Sequence, residues 1–187
     1  MKNKFTKQNI LFAIIIALLL IPQTRYPIQL LVHKGLSYIN QSTIIEEGER
    51  EILSYQNWKL ISDNGEVLNL KDLKGRVLFI NFWATWCPPC IVEMPSLQDL
   101  YNDFNEEVVF LFVTGDELET VRKFKTKNSY SFKVYNAVNK IPQNLETKSI
   151  PRTFIIDKAG AIVVDEKGAV DWYSQKVKTQ LTTLLAE

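Results

Sequence analysis

The sequence predicts an α/β fold in which a central mixed β-sheet is flanked by helices. Two short runs, 77–83 and 108–114, are apolar on both faces, which is typical of strands buried in the middle of a sheet. Each run precedes a segment whose apolar residues lie three and four positions apart, the spacing of an amphipathic helix. Strands and helices that alternate in this way predict a parallel core with right-handed crossovers. Predicted hairpins at both ends of the domain make the sheet mixed.

The first 32 residues are predicted to form an uncleaved signal-anchor, a transmembrane segment that stays attached to the chain. Three lysines and no acid precede an unbroken apolar run over 10–21, as in targeting segments. The stretch 22–27 after the run offers no pair of small residues for a signal peptidase and no cysteine for a lipid. We therefore expect a single pass through the inner (cytoplasmic) membrane. The lysines would stay in the cytoplasm, and the rest of the chain would lie on the periplasmic or extracytoplasmic side.

Residues 33–57 are predicted to link this anchor to a folded domain over 58–187. An apolar cluster over 29–39 is expected to lie on the membrane surface, to cap the domain, or to form an ordinary amphipathic helix. The stretch 41–57 is polar and contains four glutamates, which favours a linker or a solvated helix.

The predicted domain begins with a hairpin and then reaches its first central strand. The runs 58–61 and 67–70 flank the turn Asp63-Asn64-Gly65, and an Asn-Gly pair between apolar runs is a strong hairpin signal. The strand over 77–83 follows, and it leads directly into a pair of cysteines.

This strand ends in Phe82-Trp83-Ala84-Thr85-Trp86-Cys87-Pro88-Pro89-Cys90, which contains the only two cysteines of the chain. At the mouth of a helix, unpaired backbone N–H groups and the macrodipole lower the pKa of the Cys87 thiol. Cys87 is therefore the predicted nucleophile, and Cys90, one turn further along, is the predicted resolving thiol. Pro88 and Pro89 contribute no N–H donors and stiffen the first turn. The motif predicts a redox-active Cys87–Cys90 disulfide that works without a cofactor.

The cysteine pair has two other interpretations, a zinc site and a structural disulfide. A structural zinc site needs four ligands, and the chain has one histidine, His33, far upstream of the cysteines. A structural disulfide across so short a loop removes little entropy from the unfolded chain, on the order of 2 kcal/mol or less. We therefore expect no bound metal, and we interpret His33 as a surface or packing residue.

The helix that begins at the cysteines is predicted to face the sheet with Met94, Leu97, Tyr101 and Phe104. Pro95 lies inside this pattern and is expected to kink the helix rather than end it, because the apolar pattern continues. The remaining predicted elements are a strand over 108–114, a helix over 117–128, a short strand over 133–135, a short helix or loop over 139–147, a strand entered at Pro151, its antiparallel partner over 161–165, and a helix over about 173–186.

The composition fits one globular domain plus an additional segment. The chain has 187 residues, of which 46% are hydrophobic and 23% are charged, so there is ample material for a core. Twenty-two basic residues against 21 acidic ones leave a formal net charge of +1. A net charge this small gives no long-range electrostatic field that would attract nucleic acid, so we expect no nucleic-acid partner.

Taken together, residues 58–187 resemble thioredoxin-fold proteins, and more narrowly the membrane-tethered TlpA/ResA-type thiol:disulfide oxidoreductases. The resemblance rests on three sequence features: Gly75-Arg76-Val77 with the strand that runs on to Cys90, Glu93-Met94-Pro95 after it, and Ile150-Pro151 before a strand and hairpin. It implies a thioredoxin-like fold in which Cys87 attacks and Cys90 resolves. Pro151 would be a cis-proline that faces the disulfide, and backbone groups of Ile150 would pair with an extended substrate segment.

The resemblance also assigns a role to an acidic residue. General thioredoxins have a buried acid six positions before the first cysteine, where this chain has Asn81. In the TlpA/ResA group a glutamate that matches Glu93 acts near the active site instead. A partly buried carboxylate at Glu93 is expected to accept the Cys90 proton. The alternative is a solvated first-turn glutamate that favours the helix dipole.

The expected function is that of an exported, membrane-anchored thiol-disulfide oxidoreductase that reduces target disulfides and is itself reduced by a membrane electron-donor protein. In the family, the usual targets are the haem-binding cysteines of apocytochrome c or other envelope thiols. Recognition of the protein substrate is expected to depend on a surface formed by Trp86, Pro88, Ile150, Pro151 and Arg152.

Three alternatives remain open at this point. A disulfide-forming oxidase of the envelope would use the same residues. A change of about 30 mV in the reduction potential of this two-electron couple corresponds to only about 1.4 kcal/mol, so the sequence leaves the direction of electron flow open. A peroxidase of a related family would need a threonine where Ala84 stands. A thioredoxin-like metal-handling module without enzymatic activity would need a third soft ligand, and neither His33 nor Met94 is suitably placed.

Overall fold

A computed structural model describes residues 7–187; the first six residues of the predicted anchor, with Lys2 and Lys4, lie outside the described residues. Three short 3-10 helices occur at Glu47–Glu49, Leu70–Leu73 and Gln143–Leu145. The helices are α1 (Lys7–Leu20), α2 (Pro22–Ile39), α3 (Pro88–Phe104), α4 (Leu118–Asn128) and α5 (Gln175–Ala186). The strands are β1 (Lys59–Ser62), β2 (Val67–Asn69), β3 (Leu78–Phe82), β4 (Val109–Val113), β5 (Val134–Ala137), β6 (Arg152–Ile156) and β7 (Ile162–Lys167).

The seven strands form one mixed sheet in the order β2-β1-β5-β4-β3-β6-β7. Strands β3, β4 and β5 are parallel neighbours, whereas β1 is antiparallel to both of its neighbours and β6 is antiparallel to β3 and β7. The predicted α/β fold with a central mixed sheet and flanking helices is confirmed. Strand β3 lies between β4 and β6, so the cysteines follow the carboxyl end of an interior strand.

Alternating side chains of β3 contribute to two apolar clusters on opposite faces of the sheet. Phe79 belongs to the cluster that is completed by the helices, which supply Met94 from α3, Val121 from α4 and Leu181 from α5. Its neighbours along β3, such as Ile80, belong to a second cluster closed by loops and 3-10 turns. Helix α3 continues through Pro95, as predicted, because its apolar residues hold it against the sheet.

The N-terminal segment forms two helices, of which the second caps the folded domain. Within residues 7–187, no single helix is both long and apolar enough to cross a membrane. By length and composition, Lys7–Leu18 and Gln23–Ile39 meet the requirement only as a pair, with a bend of 94° between them. The end of α2 is bonded to the domain, since the Asp171 amide donates to the Ser37 carbonyl at 3.1 Å. The Asn40 side-chain amide donates to the Ala169 carbonyl at 3.2 Å.

The structure differs from the expected linker over 33–57, because much of this segment packs on the domain. Backbone bonds run along the free edge of β7, from the Ile45 amide to the Val163 carbonyl at 2.9 Å and from the Ile162 amide to the Glu51 carbonyl at 2.8 Å. An edge strand presents unpaired backbone groups, and this segment pairs with them. Leu53 is 2% exposed and completes the second apolar cluster.

We predict that Leu53→Ala lowers the free energy of unfolding by about 2–4 kcal/mol, because it leaves a cavity in the core. The neighbouring Ile52 is 63% exposed, so Ile52→Ala is a matched control with a change of about 0.5 kcal/mol or less. Urea denaturation of the full oxidised chain in detergent measures both values. Equal small effects would mean that the segment is a loose linker in solution.

Candidate active site

The two cysteines form a disulfide at the start of α3. Cys87 is the N-cap of the helix, with an extended backbone, and its Cα lies 5.3 Å from the Cα of Cys90. Pro88 and Pro89 occupy the first helical positions and have no N–H, so the Cys90 amide is the first backbone donor at this helix end. Cys87 is 4% exposed and Cys90 is fully buried. Of the two cysteines, only Cys87 therefore retains any exposed surface.

A proline loop faces the disulfide from the start of β6. The Ile150–Pro151 peptide bond is cis, and the carbonyl oxygen of Ile150 lies 3.8 Å from Cys87 Sγ. Pro151 is buried, and its carbonyl accepts a bond of 2.9 Å from the Gly168 amide after β7. The structure thus brings Cys87, Ile150 and Pro151 together although more than sixty residues separate them in the chain.

Asp116, which sequence reasoning missed, holds the residues just before the cysteines. Its Oδ2 accepts bonds from the Thr85 amide at 2.7 Å and the Thr85 hydroxyl at 2.8 Å, and its Oδ1 accepts from Trp86 Nε1 at 3.1 Å. The Trp86 side chain is nevertheless 69% exposed. Asp116 follows β4, whose carboxyl end lies beside that of β3 because the two strands are parallel. That parallel pairing is the signal that could have identified it.

Two cavities share Ile150 and are lined by residues next to the cysteines in sequence, although neither cysteine lines them. The larger has a volume of about 690 Å³ and lies beside Trp86 and Asp116. The smaller, of about 430 Å³, lies beside Pro89, Pro151 and the end of α2. Pro88, unlike Pro89, is not among the residues that line either cavity.

Glu93 lies one helical turn beyond Cys90 and is buried, with 1% of its surface exposed. Its Oε1 accepts a bond of 2.8 Å from Asn81 Nδ2, and its Oε2 accepts one of 3.0 Å from Trp172 Nε1 and one of 3.4 Å from the Val170 amide. Burial raises the pKa of Glu93 to about 8, although the three donors act in the opposite direction. The buried position contradicts the alternative of a solvated first-turn glutamate.

The described part of the chain, residues 7–187, contains no group of three or more His, Cys, Asp and Glu side chains placed to hold a metal ion. The redox-capable group that this structure does show is the disulfide itself.

Comparisons with known proteins identify the family. The sequence profile of the AhpC/TSA family matches residues 54–165. The thiol-disulfide oxidoreductase ResA of Bacillus thuringiensis subsp. konkukian (strain 97-27) is 31% identical over 166 residues, which cover 87% of this chain and 90% of that protein. The chain belongs to the AhpC/TSA family, among the ResA-like thiol-disulfide oxidoreductases.

Solved structures confirm the thioredoxin-like fold of this ResA-like chain. A secreted thiol-disulfide isomerase from Corynebacterium glutamicum matches with a TM-score of 0.61 and 19% identity, over 79% of this chain and 93% of that one. A DsbF homologue from Corynebacterium diphtheriae matches with a TM-score of 0.59 and 17% identity, over 79% and 92% of the two chains. At such identities the likeness shows the fold alone.

The ResA-like chain places the residues predicted for its site in two layers. Trp86, Ile150 and Pro151 line the cavities, and Cys87, which is 4% exposed, lies beside Ile150. Glu93 lies in a deeper layer with Cys90, away from solvent. Contact with a protein substrate is therefore open to the first group, whereas the burial of Glu93 closes it to such contact.

We predict that Glu93 makes the stability of the oxidised protein fall as pH rises. Folded Glu93 keeps its proton up to a pH of about 8, whereas an ordinary glutamate releases it near 4.5. The folded state therefore binds one more proton between these values, and the free energy of unfolding falls through this window by about 1 kcal/mol per pH unit.

Urea denaturation from about pH 5 to about pH 8 measures this slope, taking the window from the raised pKa of Glu93. Glu93→Gln cannot titrate and should flatten the profile, whereas Glu106→Gln, the same change at an exposed position, should leave it unchanged. Parallel profiles for all three proteins would contradict the raised pKa.

Proposed function

We propose that this protein is an exported, membrane-anchored reductant that transfers electrons from the Cys87–Cys90 dithiol to disulfides of protein substrates. One observation carries the proposal: the disulfide at the start of α3 faces the Ile150–Pro151 loop, and the protonatable carboxyl group of Glu93 lies behind it. This arrangement offers an attacking sulfur, a backbone edge for the substrate and a proton acceptor within one small region.

The proposed reaction has two exchange steps. The Cys87 thiolate attacks one sulfur of the substrate disulfide, so a mixed disulfide forms and the other substrate sulfur leaves as a thiolate. The Cys90 thiolate then attacks Cys87 Sγ, which restores the protein disulfide and releases the second substrate thiol. Two electrons pass from the protein to the substrate. The greater exposure of Cys87, 4% against 0% for Cys90, supports this order of attack.

Glu93 is proposed to take, in its ionised form, the proton that Cys90 must lose before the second step. A free cysteine has a pKa of about 8.5, and the pKa of Glu93 is raised to about 8 by burial. Proton transfer between groups of similar pKa costs little free energy. Residues three apart on a helix have Cβ atoms about 5–6 Å from each other, which supports a role for Glu93 at Cys90.

The substrate is proposed to be a protein with an accessible disulfide on the extracytoplasmic side of the membrane, such as apocytochrome c with its haem-binding cysteines. A membrane protein that donates electrons would reduce the Cys87–Cys90 disulfide again. The apolar side chains of α1 support an anchor over 1–32, because Leu11 and Phe12 are 59% and 66% exposed and lack cover from the described residues. The positive start of the chain favours a cytoplasmic N-terminus.

We predict a reducing potential for the Cys87–Cys90 pair. Equilibration of the full chain in detergent micelles with a dithiothreitol buffer should give a value near that of thioredoxin, about −270 mV. A value near that of the strong periplasmic oxidants, about −120 mV, would contradict the reductant and favour disulfide formation in other proteins.

We predict that the two cysteine variants behave differently toward a disulfide-containing protein. Cys90→Ser retains the attacking thiol and lacks the resolving one, so it should accumulate a mixed disulfide at Cys87. Cys87→Ser is the matched control and should accumulate little, because Cys90 is buried. Mass spectrometry of the alkylated products distinguishes them. A stable adduct at Cys90 would reverse the assigned roles.

A further inference from the structure

We propose that helix α2 forms one wall of the substrate site, in a groove that accepts an apolar side chain next to the reacting cysteine of an extended polypeptide. The inference rests on the proposed function and extends it by assigning specificity to a helix outside the residues matched by the family. The reacting chemistry remains that of Cys87 and Cys90.

The groove is the cavity of about 430 Å³ beside the disulfide, and it joins α2 to the active-site loops. On the α2 side, the lining residues lie three and four positions apart along one face of the helix. The α2 wall consists of His33, Leu36, Ile39 and the C-cap residue Asn40, and the domain wall includes Pro89, Pro151 and Ala169.

Contacts with the domain hold α2 in this position. Ser37 is 5% exposed, and its carbonyl accepts the bond from the Asp171 amide. The Asn40 side chain is bonded to the Ala169 carbonyl. Leu36 and Ile39 nevertheless remain 52% and 78% exposed. Apolar surface that is fixed beside a reactive disulfide and left uncovered is suited to bury an apolar group of an incoming chain.

The position of Ile150 indicates that an extended polypeptide would occupy the groove. Ile150 lines both cavities, so its backbone lies between the Trp86 side and the α2 side. An extended chain that pairs with this backbone and brings a sulfur to Cys87 continues past it, and its side chains alternate in direction. A polypeptide longer than a few residues therefore enters the groove beneath α2.

The chemistry of the lining favours an uncharged, apolar group. None of the described residues that line the groove is Lys, Arg, Asp or Glu, and His33 is the one titratable side chain among them. The nearest lysine on the helix, Lys34, lines a different cavity on the other side of α2. A charged substrate side chain would find no partner here, whereas leucine or a similar residue would lose water contact at no electrostatic cost.

The test compares two short peptides with an internal disulfide, one with leucine and one with serine on either side of each cysteine. Pre-reduced full-length protein in detergent micelles supplies the two electrons, and the peptide thiols released are measured over time. We expect the wild-type protein to prefer the leucine peptide. Leu36→Gln and Ile39→Gln should each reduce this preference by about tenfold, the effect of removing burial of part of one apolar side chain.

Leu31→Gln is the matched control, because Leu31 lies on the same helix, is 73% exposed and does not line the groove. An unchanged preference in Leu36→Gln and Ile39→Gln, or an equal loss in Leu31→Gln, would overturn the assignment. If Leu36→Gln or Ile39→Gln reduced binding to lipid vesicles but left the peptide preference unchanged, the surface would belong to a membrane contact. That result would also overturn the proposal. If wild-type protein failed to reduce oxidised glutathione and both peptides, the proposed function itself would be refuted.

Discussion

The arrangement of the site depends on the hydrogen bonds that the buried carboxyl group of Glu93 accepts. It receives hydrogen bonds from Asn81 on β3, from Val170 and from Trp172, and it lies on α3 behind the cysteines. A carboxyl group that loses water must be hydrogen-bonded or protonated, so these three regions of the chain are held together. The same burial that requires the bonds raises the pKa of Glu93 to about 8. One packing constraint therefore determines both the geometry and the proton affinity of the site.

The segment 168–172 connects this buried group to the surface that meets a substrate. The Gly168 amide bonds to the Pro151 carbonyl, while Val170 and Trp172 bond to Glu93. The intervening residues Ala169 and Asp171 hold the end of α2 through backbone groups. Five consecutive residues thus contact the proline loop, the acid and the groove wall. A shift of this segment would alter access to Cys87 and the environment of Glu93 together.

Local patterns made the central part of the fold predictable, because the evidence for it lies close together in the chain. The apolar run of β3, the helix start at Cys87 and the apolar face of α3 are encoded over fewer than thirty residues. The partners of Glu93 were not predictable from such patterns, since Trp172 lies 79 residues away in sequence. The packing of the segment over 45–53 depends equally on a distant edge, so its polar sequence indicated a linker. The apolar cluster over 29–39 left a cap on the domain as one of three possibilities, because the partners of α2 lie far away in the chain. Asp116 was missed because its role depends on the pairing of β3 and β4.

The most direct measurement is the titration of the Glu93 carboxyl carbon by NMR in selectively labelled, oxidised protein. We predict a single titration with a midpoint near pH 8, because burial outweighs the three hydrogen bonds. The resonance can be assigned by its absence in Glu93→Gln. A midpoint near 4.5, the value of an ordinary glutamate, would mean that the carboxyl group is charged at neutral pH. It would then be a much weaker base than a thiolate, whose pKa is about 8.5, and the proposed proton transfer from Cys90 would be disfavoured.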